Sequence, residues 1–234
     1  MSEVSGKKAV VFGGTSGIGL ATVIKLRDLG ADVVAVSRDP SKAGEIEGVT
    51  LAECDVRERD AMAELLADHA PIDILISAAT GGARAAGPFL EMDLDGYQAS
   101  FDKLWGYANV VRLGTQHLSD AGSITLVSGS PARKAKPGQA AIASVGGAVE
   151  QFVRAVAAEI APRRINVVSP GVIDTPMFGP DSEQKEKMLN GATAKHLIPR
   201  AGRAEEVADG IVFVVQNAYA TGTTIDVDGG WLLS

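Results

Sequence analysis

Seven residues near the amino end, Gly13-Gly14-Thr15-Ser16-Gly17-Ile18-Gly19, have the composition of a phosphate cradle. They follow the β-branched run Ala9 to Phe12 and lead into a segment of helical spacing. Glycines let a backbone approach a pyrophosphate closely, and the first N–H groups of the helix meet the anion with the positive end of the helix dipole. The strand, turn and helix order separates this pattern from an ordinary tight turn. A second signal stands at the end of the next apolar run. Where a carboxylate would hydrogen-bond an adenosine ribose, the chain has Ser37-Arg38. A planar guanidinium grips phosphate through a fork of donors, so the pair favours NADP(H) over NAD(H), with NAD(H) still possible. Asp39 is the competing partner, able to hold Arg38 in a solvated loop.

Such a cradle needs a sheet to carry it. Strand-like runs recur at Ala9 to Phe12, Asp32 to Val36, Val49 to Ala52, Ile72 to Ile76, Ser123 to Val127, Ile165 to Val168 and Thr224 to Val227. Between them, helical spacing covers Gly17 to Leu29, Arg59 to His69, Leu94 to Leu118, Gln139 to Ile160 and Ala204 to Asn217. The alternation specifies an α/β fold, a doubly wound parallel sheet of the Rossmann type in a single domain over residues 1–234. Functional residues are then expected just beyond the carboxyl ends of the strands. Residues 174–200, rich in Pro, Gly and charge, are expected to form a flexible, irregular substrate flap.

Composition removes several partner classes. The chain has 22 Lys and Arg against 29 Asp and Glu, a net charge of -7, which disfavours nucleic acid. No apolar stretch reaches membrane-spanning length, so no membrane partner is expected. The lone Cys54 cannot close an internal disulfide, and the polar stretch from Met1 to Lys8 lacks a signal-peptide core; both point to the cytoplasm. No His, Cys and carboxylate cluster has metal-ligand spacing.

From end to end the motifs resemble the short-chain dehydrogenase/reductase family. The glycine turn is similar to its fingerprint, Asp55-Val56 to the pair that contacts adenine, and Ser77-Ala78-Ala79-Thr80 stands where Asn-Asn-Ala-Gly is usual. Ser169-Pro170-Gly171-Val172 with Thr175 resembles the segment beside the nicotinamide amide, and Val227-Asp228-Gly229-Gly230 the carboxyl-terminal motif. The resemblance implies an oxidoreductase with a small-molecule substrate, assembled as a homotetramer or homodimer through its two long helices.

It also implies a Ser-Tyr-Lys arrangement, which is missing here. Anchoring on Pro137-Gly138 and Gly147-Ala148-Val149-Glu150 puts Gly129, Ile142 and Gly146 at the three positions, with Ser128 and Ser130 flanking the first. The helix asparagine of the family corresponds to Lys103. The expectation is a positional swap, in which Lys103 extends into the space left at Gly146, its pKa lowered by burial, while Ser128 or Ser130 orients the substrate carbonyl. The alternative is a lysine that snorkels to solvent. Tyr107 shares its helix face, as a core residue or a second acid; His196 is read as a surface residue. The functional reading is an NADP(H)-dependent oxidoreductase for a small, fairly apolar carbonyl or alcohol. A non-catalytic NADP(H) sensor and a conjugated C=C reductase remain as alternatives.

Overall fold

In the computed structural model, residues 3–80 and 84–234 are described. Strands β1 (Lys8–Phe12), β2 (Asp32–Ser37), β3 (Val49–Glu53), β4 (Ile72–Ser77), β5 (Leu118–Val127), β6 (Arg164–Pro170), β7 (Ile173–Asp174), β8 (Gly202–Arg203) and β9 (Thr224–Val227) alternate with helices. The helices are α1 (Gly17–Asp28), α2 (Arg59–Asp68), α3 (Leu94–Ala99), α4 (Asp102–Gly114), α5 (Ala140–Val156), α6 (Glu183–Thr193) and α7 (Ala204–Gln216). Seven strands form one parallel sheet in the order β3-β2-β1-β4-β5-β6-β9. Strand order reverses between β1 and β4, and the crevice opens there.

The period of two along each strand divides the core into two layers. In β1, Val10 and Phe12 face a cluster with Met62 and Leu66 of α2, Tyr107 and Val110 of α4, and Val149 and Val153 of α5. Ala9 and Val11 face the other side, with Val23 and Leu26 of α1 and Val207 and Ile211 of α7. Apolar residues on both faces are what a sheet covered by helices requires. Each fully buried Leu, Ile or Val contributes about 1.5–3 kcal/mol.

Two expectations about the elements are corrected. The helical stretch from Leu94 to Leu118 is two helices, because the Ser100 hydroxyl turns back on the Gly96 carbonyl at 2.8 Å while accepting the Ala85 N–H at 2.9 Å. Secondly, residues 174–200 are not irregular throughout. Ser182 caps α6 by accepting the Lys185 N–H at 3.2 Å. The buried Lys185 ammonium in turn bridges Asp174 at 2.6 Å and Asp181 at 2.8 Å. The short β7–β8 pairing, Ile173 opposite Gly202, brings the two ends of this segment together. His196, read as a surface residue, is only 6% exposed and lies against Trp231 with ring centroids 5.2 Å apart.

The turns after β6 and β9 pack backbone on backbone. A Cβ on Gly171 would lie 2.7 Å from the Asp228 carbonyl oxygen and 2.8 Å from its Cα. Gly171→Ala must separate the two turns, and it is expected to lower stability by about 1–3 kcal/mol, read as a lower urea midpoint with an unchanged m value.

Candidate functional site

A cleft of about 620 Å³ lies over the carboxyl ends of β1, β2 and β4 and the turn that follows β3. Gly13, Thr15, Ser16, Gly17, Ile18 and Gly19 line it, as do Ser37, Arg38, Asp55, Val56, Ala78, Ala79 and Thr175. The glycine turn is shaped by close approach. Gly13 has φ +76°, and a Cβ there would sit 2.7 Å from the Ala79 nitrogen; a Cβ on Gly19 would meet the Gly13 carbonyl oxygen at 1.9 Å. Only a backbone free of side chains lets α1 start this close to the strand it follows.

At the far end of the cleft, Asp39 accepts from Ser41 at 2.5 Å and pairs with Lys42 at 3.0 Å. Arg38 is exposed and forms no ion pair with Asp39, so both Arg38 and Lys42 present cationic groups to the cleft they line. Lys42 was not singled out in the sequence; its signal was its place three residues beyond Asp39. The Ser37 hydroxyl is buried without a protein partner. Asp55 is gripped by Arg57, whose Nη2 lies 2.7 Å from Oδ2, and this bond holds the carboxyl below the usual range.

The catalytic candidates lie outside that cleft, on α4 and in the loop after β5. Lys103, Gly106, Tyr107, Val110, Val111 and Gly114 form the buried face of α4. Lys103 is 9% exposed, and its ammonium donates to the Ser128 carbonyl at 3.3 Å. Burial, and then the positive charge of Arg84, pull its pKa down from 10.5 to about 7. It does not snorkel. Tyr107 is a core residue whose hydroxyl donates to the Val127 carbonyl at 3.0 Å, and burial raises its pKa.

The serine hydroxyls are engaged within the protein. Ser128 Oγ donates to Glu150 Oε1 at 3.1 Å, and Glu150, 2% exposed, also meets Arg133 at 3.3 Å and Arg154 at 3.5 Å. Ser130 Oγ donates to the Pro170 carbonyl at 3.2 Å. Pro170 and Gly171 are not among the residues lining the large cleft, and Val172 lines a neighbouring cavity of about 300 Å³. The space next to Gly146 is taken by Ala132: a Cβ on the glycine would lie 3.0 Å from the Ala132 Cβ. Lys103 therefore reaches the Ser128 carbonyl rather than filling a hole at residue 146. At Gly129 the neighbours of a Cβ lie at 3.6 and 3.9 Å, ordinary contact. No metal-binding group of His, Cys, Asp or Glu occurs among the described residues, and no helix among them is long and apolar enough to cross a membrane.

Comparison with known proteins adds relatives over the whole chain. A family model described as enoyl-(acyl carrier protein) reductase matches residues 13–232. The chain is 31% identical over 257 aligned positions to a short-chain dehydrogenase/reductase of Stachybotrys chlorohalonatus, covering 100% of both. It is 29% identical to the L-xylulose reductase of Mus musculus, covering 98% of each. Among solved structures, a small-chain dehydrogenase in complex with NADPH matches with a TM-score of 0.83 at 30% identity, over 98% of this chain and 100% of that one. The aldohexose dehydrogenase of Thermoplasma acidophilum matches with a TM-score of 0.90 at 26% identity, over 100% of this chain and 96% of that one.

The lowered pKa of Lys103 makes a stability prediction. Between about pH 7 and 10.5 the unfolded chain holds a proton on this lysine that the folded chain does not. Stability should therefore rise with pH across that window. In denaturant titrations of the cofactor-free protein, Lys103→Met is expected to flatten that rise and to be more stable than the parent below pH 7; parallel pH profiles would contradict the assignment.

Proposed function

The chain belongs to the short-chain dehydrogenase/reductase family, and from that membership we propose that it is an NADP(H)-dependent oxidoreductase with a rearranged catalytic end. Its substrate is a small, fairly apolar carbonyl compound or the corresponding alcohol. One observation carries the rearranged site: a buried ammonium, that of Lys103, held on the carbonyl of the residue directly after β5.

The residues present fit the dinucleotide. The Gly13 to Gly19 turn and the start of α1 hold the pyrophosphate, and Arg38 with Lys42 takes the 2′-phosphate. Ser37, whose buried hydroxyl has no partner within the protein, lines the same cleft. Asp55 and Val56 flank the adenine, Ala78 and Ala79 its ribose, and Pro170, Gly171, Val172 and Thr175 the nicotinamide amide. When bound, the dinucleotide supplies or accepts the hydride.

The chain's own contribution is binding and proton handling. Lys103 in its ammonium form donates a proton to the substrate oxygen in reduction, and its neutral amine recovers one in oxidation. A pKa near 7 leaves both forms available at neutral pH. Ser128 and Ser130 are positioning residues: the Ser128 carbonyl aims Lys103, and the Ser130 hydroxyl fixes the Pro170 carbonyl at the nicotinamide segment. The flap, with the exposed Met177 and Phe178 at its start, supplies the apolar cover. Exposed Phe89, Leu90, Leu94 and Trp105 around α3 and α4 support a homodimer or homotetramer.

The commitment of both serine hydroxyls inside the protein favours a second reading, a non-catalytic NADP(H)-binding protein. It equally suits a conjugated C=C acceptor, whose protonation at carbon does not require a hydroxyl acid.

Fluorescence titration with NADPH and NADH, followed by NADPH oxidation across aldehydes, ketones and conjugated enones, separates the three. NADPH is expected to bind more tightly than NADH, and Arg38→Glu to weaken NADPH binding roughly 10- to 100-fold. Carbonyl reduction should slow as pH rises through about 7, with Lys103→Met removing that limb as well as most of the rate. Binding without turnover on any member of the panel would establish the non-catalytic reading; turnover on enones alone would establish C=C reduction.

A further inference from the structure

Two cations, Arg84 and Lys103, stand on the segments that frame the catalytic end. Arg84 stands where the described chain resumes after β4, and its loop is pinned on both sides. The Ala85 N–H donates to Ser100 Oγ at 2.9 Å, at the junction of α3 and α4 and three residues ahead of Lys103. The Gly87 N–H donates to the Gly138 carbonyl at 3.1 Å, just before α5. Just ahead of both anchors, the Arg84 guanidinium meets the flap, with Nη1 3.1 Å from Met177 Sδ.

A thioether is a weak acceptor, and most of the five N–H donors of this exposed guanidinium remain open to a ligand. Among the described residues neither Arg84 nor Lys103 makes an ion pair. Asp102 is already engaged by Arg57, and Glu150 by Arg133 and Arg154. The residues outside the description, Met1, Ser2, Gly81, Gly82 and Ala83, bring no acid. Arg84 is near enough for its charge to act on both Lys103 and Tyr107, and it is itself partly desolvated.

Like charges held together without a counter-ion cost stability, and sites that accept this cost are commonly built for a ligand that cancels it. The phosphates of a dinucleotide belong at the glycine turn and at Arg38, and its nicotinamide end carries no negative charge. An anionic group on the substrate would supply a counter-ion that neither end of the dinucleotide brings here. We propose that the substrate carries a carboxylate beside its reacting carbonyl, and that Arg84 grips this carboxylate while Lys103 faces the carbonyl oxygen. The planar fork of Arg84 matches a carboxylate in two parallel hydrogen bonds. Met177, against which Arg84 lies, suits the apolar remainder of a small 2-oxo acid or its hydroxy acid. This rests on the oxidoreductase reading and narrows its substrate class; Arg84 is the specificity-determining residue.

The test compares benzoylformate with its methyl ester, in two readouts. Calorimetric titration into the protein, with and without NADP+, measures binding apart from turnover; NADPH oxidation measures kcat/KM. The acid is expected to bind and turn over better than the ester. Arg84→Gln should collapse the acid-to-ester ratio roughly 10- to 100-fold, and Arg84→Lys should recover part of it. An equal or ester-favouring ratio in the parent protein would overturn the proposal, as would a ratio unmoved by Arg84→Gln. A loss of NADPH affinity in that variant, with the ratio intact, would assign Arg84 to the cofactor instead. Arg84-dependent binding of the acid without any turnover would leave the anion site standing and remove the oxidoreductase reading. Turnover of both compounds at equal efficiency would do the reverse.

Discussion

The structure depends on backbone meeting backbone along the carboxyl edge of the sheet. At Gly13 against Ala79, Gly19 against Gly13 and Gly171 against Asp228, one added carbon would overlap main-chain atoms. These contacts draw the turns after β1, β4, β6 and β9 into one rim. Along this edge the Gly13, Gly14 and Gly171 N–H groups stay hydrogen-bonded to neighbouring strands, and the start of α1 turns the positive end of its dipole to the cleft, a setting that favours anions. At the catalytic end the contact is with a side chain instead: the Ala132 Cβ, in the loop after β5, lies 3.0 Å from where a Cβ on Gly146 of α5 would stand.

Charge is distributed against the overall balance. The chain carries a net charge of -7, yet Arg38 and Lys42 line its cleft, while Arg84 contacts Met177 at the flap and Lys103 is buried on the Ser128 carbonyl. The acids nearby serve structure: Asp39 holds Lys42, Asp55 holds Arg57, and Glu150 ties Ser128 to two arginines. At the phosphate end, positive charge is exposed and remains well hydrated until a ligand arrives. At the catalytic end the ammonium of Lys103 is buried, and its proton is loosened by desolvation. In the function proposed above, basic residues would divide two tasks by depth: a point charge for phosphate at the surface, a proton carrier within.

Much of the architecture was legible in the residue order. The seven strands of the main sheet fall where β-branched runs predicted them, within a residue or two at most ends, because buried parallel strands leave an unbroken apolar signature. β5 begins earlier than its apolar run, at Leu118, because an irregularity in its pairing with β4 absorbs the polar residues before Ser123. The helix from Leu94 to Leu118 broke at Ser100 for a reason no window could register: its hydroxyl is recruited by Ala85, fifteen positions back. Within 174–200, α6 was hidden by low hydrophobicity, since an ion pair to Asp174 and a serine cap stabilise it in place of a wide apolar stripe.

What the sequence by itself determined is whatever depends on neighbours in the chain: the strand and helix alternation, the glycine turn, and Ser37-Arg38 in place of a carboxylate at the end of β2. What only the tertiary structure decided is where side chains from distant segments come to rest. Lys103 lies on the carbonyl of Ser128, Ala132 fills the space beside Gly146, His196 is buried on Trp231, and Arg84 crosses to Met177. The physical reason is one of range. Backbone conformation and phosphate cradles arise from contacts a few residues apart, whereas the burial and pairing that set a side chain's proton affinity come from groups joined only by the packed fold.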